Sequence, residues 1–155
     1  MTPAIFGLAG TTLSADEHAF FKEADPAGYI LFGRNCETPQ QLRALTDSLR
    51  EIHGRERLLI SIDQEGGRVA RLRPPLWSNF PAGEAFDTLC QLAPASAIEA
   101  ARLNAHAMGV ELAEMGITVD YHPPLDVRQV GAHDVIGDRA LGSEPMQAAA
   151  LGRAL

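Results

Sequence analysis

The chain has 155 residues, 46% of them hydrophobic and 21% charged, which is enough for one globular core and not for two. A net charge of -7 and a pI near 5.1 leave no basic excess to neutralise phosphates, so a nucleic-acid or anionic-membrane surface is excluded and a neutral or small polar partner is expected. The first residues, MTPAIFGLAGTTLS, lack a basic n-region, and glycines break their apolar run, so neither a secretory signal nor a membrane span is expected and the chain reads as cytoplasmic. Cys36 and Cys90 form no metal spacing or redox pair and are expected to be free thiols.

Taken in order, Ile5 to Leu8 predicts a first strand that Gly10 ends. Ser14 and Glu17 stand at capping-box spacing, Phe20, Phe21 and Ala24 give the following helix an apolar face, and Asp25-Pro26 is expected to stop it. Gly28 to Phe32 predicts the second strand, with Gly33-Arg34-Asn35 as its turn-forming exit. Thr38-Pro39-Gln40-Gln41 reads as another capping box with proline at the first helical position. Leu42, Leu45, Leu49 and Ile52 follow at helical spacing until Gly54.

Leu58 to Ile62 predicts a third strand, buried on both faces, after which the chemistry changes abruptly. Asp63, Glu65, Arg68 and Arg71 crowd around Gly66-Gly67, a pair that lets the backbone turn tightly and approach a ligand. A self-neutralising salt-bridge cluster is the plainer reading of the same four residues. A long proline-rich loop with Pro74, Pro75, Pro81 and Trp77 comes next, of the kind that usually serves function. Ser96 and Glu99 are expected to box the next helix, whose stripe of Ile98, Ala101, Ala105, Met108, Leu112 and Met115 belongs to the core. Ile117 to Tyr121 predicts a fourth strand, followed by His122-Pro123-Pro124-Leu125-Asp126, a polar loop to Gly142 and a helix that starts at Ser143-Glu144-Pro145.

Four strand-helix alternations predict an α/β fold with a parallel sheet and helices outside it. A small doubly wound sheet competes with part of a TIM-type (β/α)8 barrel, which needs about 250 residues. The last helical run reaches Leu155 with no cap and the elaborated segments all follow strands, so the N-terminal half of a barrel is expected, with about four β/α units and a truncated last helix. There is no internal repeat and no glycine-rich dinucleotide fingerprint. In such a half-barrel the first and fourth strands are open edges, and the inward faces of Ile5, Ile30, Ile60 and Val119 lack an opposite wall, so self-association is expected.

The runs DQEGGRVAR at 63–71, ILFGRN at 30–35, PLDV at 124–127 and IGDRALG at 136–142 resemble the N-terminal part of family 3 glycoside hydrolases. More narrowly, they resemble the bacterial β-N-acetylhexosaminidases that recycle peptidoglycan. The likeness covers essentially the whole chain, making 1–155 a partial family 3 barrel domain, and Asp-x-Glu-Gly-Gly-Arg-Val-x-Arg is its specific signal.

The resemblance implies hydrolysis of terminal β-linked N-acetylglucosamine from muropeptides by a retaining mechanism, with Asp63, Arg71 and Arg139 binding the sugar. A carboxylate accepting from two sugar hydroxyls and guanidinium groups donating in a fixed fork suit that task. For Arg139 alone, an ion pair with Asp138 or Asp134 is the plainer reading. Glu65 and Arg68 are given supporting or structural roles. His122 and His133 lie in loops that could approach a substrate, and His18, His53 and His106 show no metal spacing, so no metal or other cofactor is expected.

Relatives take their nucleophilic aspartate and their acid, a histidine on a mobile loop beginning Lys-His-Phe-Pro-Gly-His-Gly, from positions beyond Leu155. No catalytic residue is therefore assigned within this chain. A sugar-binding module without catalysis and a β-glucosidase-like member of the same family are the alternatives.

Overall fold

The computed structural model describes residues 1–155. Its elements are β1 (Thr2–Gly7), α1 (Ala15–Ala24), β2 (Pro26–Leu31), α2 (Pro39–His53), β3 (Leu59–Ile62), α3 (Gly83–Leu92), α4 (Pro94–Glu114), β4 (Val119–Asp120) and α5 (Pro145–Ala154), with 3-10 turns at Gly33–Asn35 and Gly137–Arg139. The strands form one sheet in the order β1-β2-β3-β4 with every neighbouring pair parallel, the α/β alternation that the sequence predicts. The chain divides into two compact units. The first comprises Met1–Asp63, Arg71–Trp77 and Glu111–Asp120; the second comprises Gln64–Ala70, Ser78–Val110 and Tyr121–Leu155.

The first unit holds the whole sheet. Phe6 pairs with Tyr29 and Tyr29 with Ile60, so these three share one face. Helices cover that face: Phe21 of α1 meets the Tyr29 ring edge-on at 5.0 Å, and the Tyr29 hydroxyl lies 2.7 Å from His53 Nε2 at the end of α2. Tyr29, Leu31, Ile60 and Ile62 are fully buried there.

The opposite face carries Ile5, Gly28, Ile30, Leu59, Ser61 and Val119. Contrary to the expectation from the sequence, Ile60 does not lie on the same face as Ile5, Ile30 and Val119; Ser61 holds the place between Ile30 and Val119, because pairing parity sets the face. At Gly28 a Cβ would run into the Leu59 carbonyl, so glycine is what lets β2 and β3 close.

Several boundaries differ from the sequence reading. Pro26 does not merely stop α1 but opens β2, and Asp25 turns the chain between them in a left-handed conformation, φ 45°. Asp25 also accepts from Thr2 N, which extends β1 back to Thr2. The α1 capping box forms as predicted, whereas Gln41 accepts from Glu37 N and donates to Thr11 O and Asn35 O instead of returning to Thr38. β4 shrinks to two residues because Thr118 bonds Ile60 through both its hydroxyl and its N–H, at 2.9 Å each.

In the second unit the expected long loop contains α3, which has no side-chain cap at Ala82 and hence no start signal. α4 begins at Pro94, not at Ser96, and Glu99 pairs with Arg102 one turn on, so the expected box is absent. Ile98, counted in the core stripe, is exposed; Ala97 takes the buried position. The core of this unit joins Phe86 of α3, Ala97 and Ala101 of α4, Leu141, and Ala148 and Leu151 of α5. No helix is long and apolar enough to cross a membrane.

Candidate functional site

In the first unit, alternation along β3 brings Leu59, Ser61 and Asp63 to the face away from the helices, with Asp63 just past the strand's carboxyl end. Arg71 Nη2 donates to Asp63 Oδ2 at 2.8 Å, each side chain being one-quarter exposed. The guanidinium carbon of Arg71 also lies 6.0 Å from the centroid of the Phe32 ring, at the exit of β2. The carboxylate keeps acceptor capacity beyond this one bond, and both groups reach solvent. The pair can therefore present acceptor and donor together to a polyhydroxylated ligand.

The ILFGRN run is built to hold that exit. Asn35 is fully buried; its Oδ1 accepts from Phe32 N at 2.9 Å while Nδ2 donates to the carbonyls of Leu8 at 3.3 Å and Gly10 at 2.8 Å. The side chain thus ties the segments that follow β1 and β2 to each other. Cys36, next along the chain, has its thiol pushed up to about 11 by burial against a smaller opposing effect of Arg71, and is an inert packing group.

In the second unit, Gly66 and Gly67 adopt φ of 87° and 55°, and the turn they make closes through Glu65 N donating to Val69 O at 2.9 Å. A Cβ on Gly66 would meet the Pro81 carbonyl, and one on Gly67 would meet Ala82, so both positions need glycine for space as well as for conformation. Glu65, only 6% exposed, receives both Nε and Nη2 of Arg139 at 2.7 Å in a bidentate pair. Arg68 donates from Nε to Asp138 at 2.7 Å and from Nη2 to the carbonyls of Val135 and Ile136.

Residues 64–70 and 136–142 are thereby cross-linked within this unit by two arginine-carboxylate bridges of opposite polarity. The ion pair of Arg139 is thus with Glu65, whereas the plainer reading of the sequence offers Asp138 or Asp134. Asp138 is taken by Arg68, and Asp134 lies 3.5 Å from Arg128. The supporting role given to Glu65 has a specific content: it holds Arg139. A separation of 74 residues hides that partnership from any local pattern.

His122 is also in this unit, and both its ring nitrogens are buried without a hydrogen-bond partner. Burial pulls its pKa below the ordinary histidine value, with the nearby Glu65 charge opposing. The imidazole is thus held neutral. His133 is exposed. No group of three or more His, Cys, Asp or Glu side chains converges as a metal site would. An apolar groove of about 670 Å³ lined by Thr11, Leu13, His18, Ala44 and Leu45 lies in the first unit and includes none of the candidate residues.

The glycosyl hydrolase family 3 N-terminal domain model matches residues 6–155. The beta-hexosaminidase of Alkalilimnicola ehrlichii is 38% identical over 151 residues, which cover 97% of this chain and 42% of that protein. The crystal structure of native NagZ from Neisseria gonorrhoeae superimposes with a TM-score of 0.92 at 28% identity, covering 99% of this chain and 44% of that one. The same protein in complex with N-trifluoroacetyl-D-glucosamine matches equally well, again with a TM-score of 0.92. The chain spans less than half the length of these relatives, and its parallel β/α units correspond to the first part of their TIM-type barrel. The chain belongs to glycosyl hydrolase family 3.

Proposed function

We propose that this chain contributes part of the sugar-binding site of a retaining β-N-acetylhexosaminidase, with Asp63, Arg71 and Arg139 as substrate-binding residues. The pairing of Asp63 with Arg71 just past β3 carries the reading, supported by relatives named beta-hexosaminidase that align over nearly the whole chain. Asp63 accepts from ring hydroxyls, and Arg71 both orients that carboxylate and donates to the sugar. Arg139 is held in one plane by its two bonds to Glu65, which fixes the orientation of its guanidinium.

A retaining hydrolysis also needs a nucleophile and a general acid flanking the scissile bond. In this proposal both come from outside residues 1–155, which act as a partial barrel domain in the cytoplasm on muropeptides derived from peptidoglycan. The reading is tested by saturation-transfer difference NMR on the 155-residue chain with methyl N-acetyl-β-glucosaminide and methyl β-glucoside. Saturation of the N-acetyl sugar, lost in Asp63→Asn, is expected. Equal signals from both sugars would favour a β-glucosidase-like site, and a signal unchanged by Asp63→Asn would remove Asp63 from it.

A further inference from the structure

We propose that His122 is a positioning residue of this site: its protonated ring competes with Arg139 for Glu65, so the chain holds Arg139 in place for sugar binding while His122 is neutral. The inference rests on the reading of Arg139 as a sugar-binding residue and deepens it by naming what regulates that residue. All three side chains belong to the second unit. Glu65 comes from the turn after β3, Arg139 from the 3-10 turn Gly137–Arg139, and His122 from the segment that leaves β4.

Arg139 gives Glu65 two donors at 2.7 Å, Nε to one oxygen and Nη2 to the other, and this carboxylate is only 6% exposed. His122 Nδ1 and Nε2 are both shielded from solvent, and neither has a hydrogen-bond partner. Folded chains rarely carry such orphaned polar atoms, and a working role often accounts for them. Here the role is set by the neighbour. Of the chain's charged groups, Glu65 is the one that acts on this ring; it favours the protonated form, and burial disfavours that form more strongly.

At neutral pH burial prevails, the ring carries no charge, and Glu65 is left to Arg139. Protonation reverses this. Both ring nitrogens then carry hydrogens, and Glu65 is the nearby anion that can receive one. A carboxylate shared between two cations no longer offers Arg139 both oxygens, so the bidentate tie that sets the plane of the guanidinium is lost. Burial holds the folded His122 value below the ordinary histidine value of about 6.5, so the competition begins only below that pH. Sugar binding, which uses the neutral form, should therefore fall as pH drops, and bound sugar should in return lower the His122 midpoint further.

The test follows the histidine ring signals of the 155-residue chain by NMR while methyl N-acetyl-β-glucosaminide is titrated at a series of pH values between about 7.5 and 5, where ordinary carboxylates stay ionised. Binding is expected to weaken on the order of tenfold across that range, the size of one charge-assisted hydrogen bond, with a midpoint that matches the His122 ring. His122→Gln should flatten the profile, and His53→Gln, which removes another buried histidine, should keep it. Arg139→Gln should raise the His122 midpoint with no sugar present, because the competitor for Glu65 is gone.

A His122 ring still neutral at the lowest pH, a binding profile that stays level as the ring titrates, or one that survives His122→Gln or vanishes in His53→Gln would overturn the proposal. So would a His122 midpoint unmoved by Arg139→Gln. Where His122→Gln does not fold, the ring midpoint and the binding midpoint of the unsubstituted chain decide, and a mismatch rejects the assignment. Failure of the underlying sugar reading is distinct: the unsubstituted chain would bind no N-acetylglucosaminide at the highest pH, and the His122 midpoint in Arg139→Gln would still judge the competition.

Discussion

Asp63, Glu65, Arg71 and Arg139 are four charges that pair off two by two, and the two pairs differ in burial. Asp63 and Arg71 are each 25% exposed and can exchange a mutual bond for bonds to a ligand. In a full-length enzyme containing this chain, Asp63→Ala is expected to lower kcat/KM by roughly 2 to 4 kcal/mol of transition-state binding with little change in melting temperature. A melting-temperature loss large enough to explain the activity loss would assign Asp63 to the scaffold. Glu65, at 6% exposure, is different: Glu65→Ala removes the buried carboxylate that takes both Nε and Nη2 of Arg139 and should destabilise the fold by about 3 kcal/mol, read as a fall in the urea midpoint. An unchanged midpoint would show that this pair adds no net stability.

Histidines add a pH dependence. Burial holds His53 below the ordinary histidine value, with Arg55 pushing the same way and Asp25 opposing; its Nδ1 faces Asp25 at 3.3 Å and its Nε2 faces Tyr29. The neutral imidazole can satisfy both, donating to Asp25 and accepting from the hydroxyl. His122 is held neutral too. Both folded pKa values lie below the unfolded value of about 6.5, so the unfolded chain takes up protons first and stability should fall as pH drops from 7.5 through 6.5 towards the folded values. Urea midpoints measured across that range, with a shallower slope in His53→Gln, are the expected result; a flat profile would contradict it.

At the scale of elements, α1 and α2 could be read because their start signals are local: Ser14 with Glu17, and Thr38 ahead of Pro39. α3 could not, because Ala82 offers no cap; its place is set by tertiary contact. Gly83, its first residue, sits where a Cβ would collide with the Arg139 carbonyl, so a helix without a sequence signature helps to position a candidate sugar ligand. Gly83→Ala is accordingly expected to weaken N-acetylglucosaminide binding more than Gly33→Ala, whose Cβ would enter open space; equal effects in a ligand-detected NMR titration would rule this out.

The strand faces show the same division. Which residues are strand was legible from apolar runs, but which face Ile60 takes depends on its pairing with Tyr29, and a one-residue error in parity turned it to the wrong side. Gly28→Ala should part β2 from β3 and cost about 1 to 3 kcal/mol, by circular dichroism during urea unfolding.

For the whole molecule, the motif runs identified the family and the alternation gave the parallel sheet, whereas the partner of Arg139 depends on a separation no local pattern encodes. β1 and β4 stand at the two ends of the sheet, and Ile5 is 42% exposed on its uncovered face. The 155-residue chain by itself is therefore expected to self-associate at tens of micromolar, about the range where such surfaces meet, and light scattering showing a monodisperse monomer would refute this. It is also expected to turn over no aryl N-acetylglucosaminide, since positioning residues without nucleophile and acid leave the bond intact.

The central claim, that residues 1–155 supply the N-acetylglucosamine-binding part of a family 3 hydrolase, is tested most directly by a chimera. Residues 1–155 would replace the matching segment of the Neisseria gonorrhoeae protein, and kcat/KM would be compared for aryl N-acetyl-β-glucosaminide and aryl β-glucoside. The account predicts turnover with preference for the N-acetyl sugar, lost on Asp63→Asn; a folded chimera that is inert, or that prefers the glucoside, would contradict it.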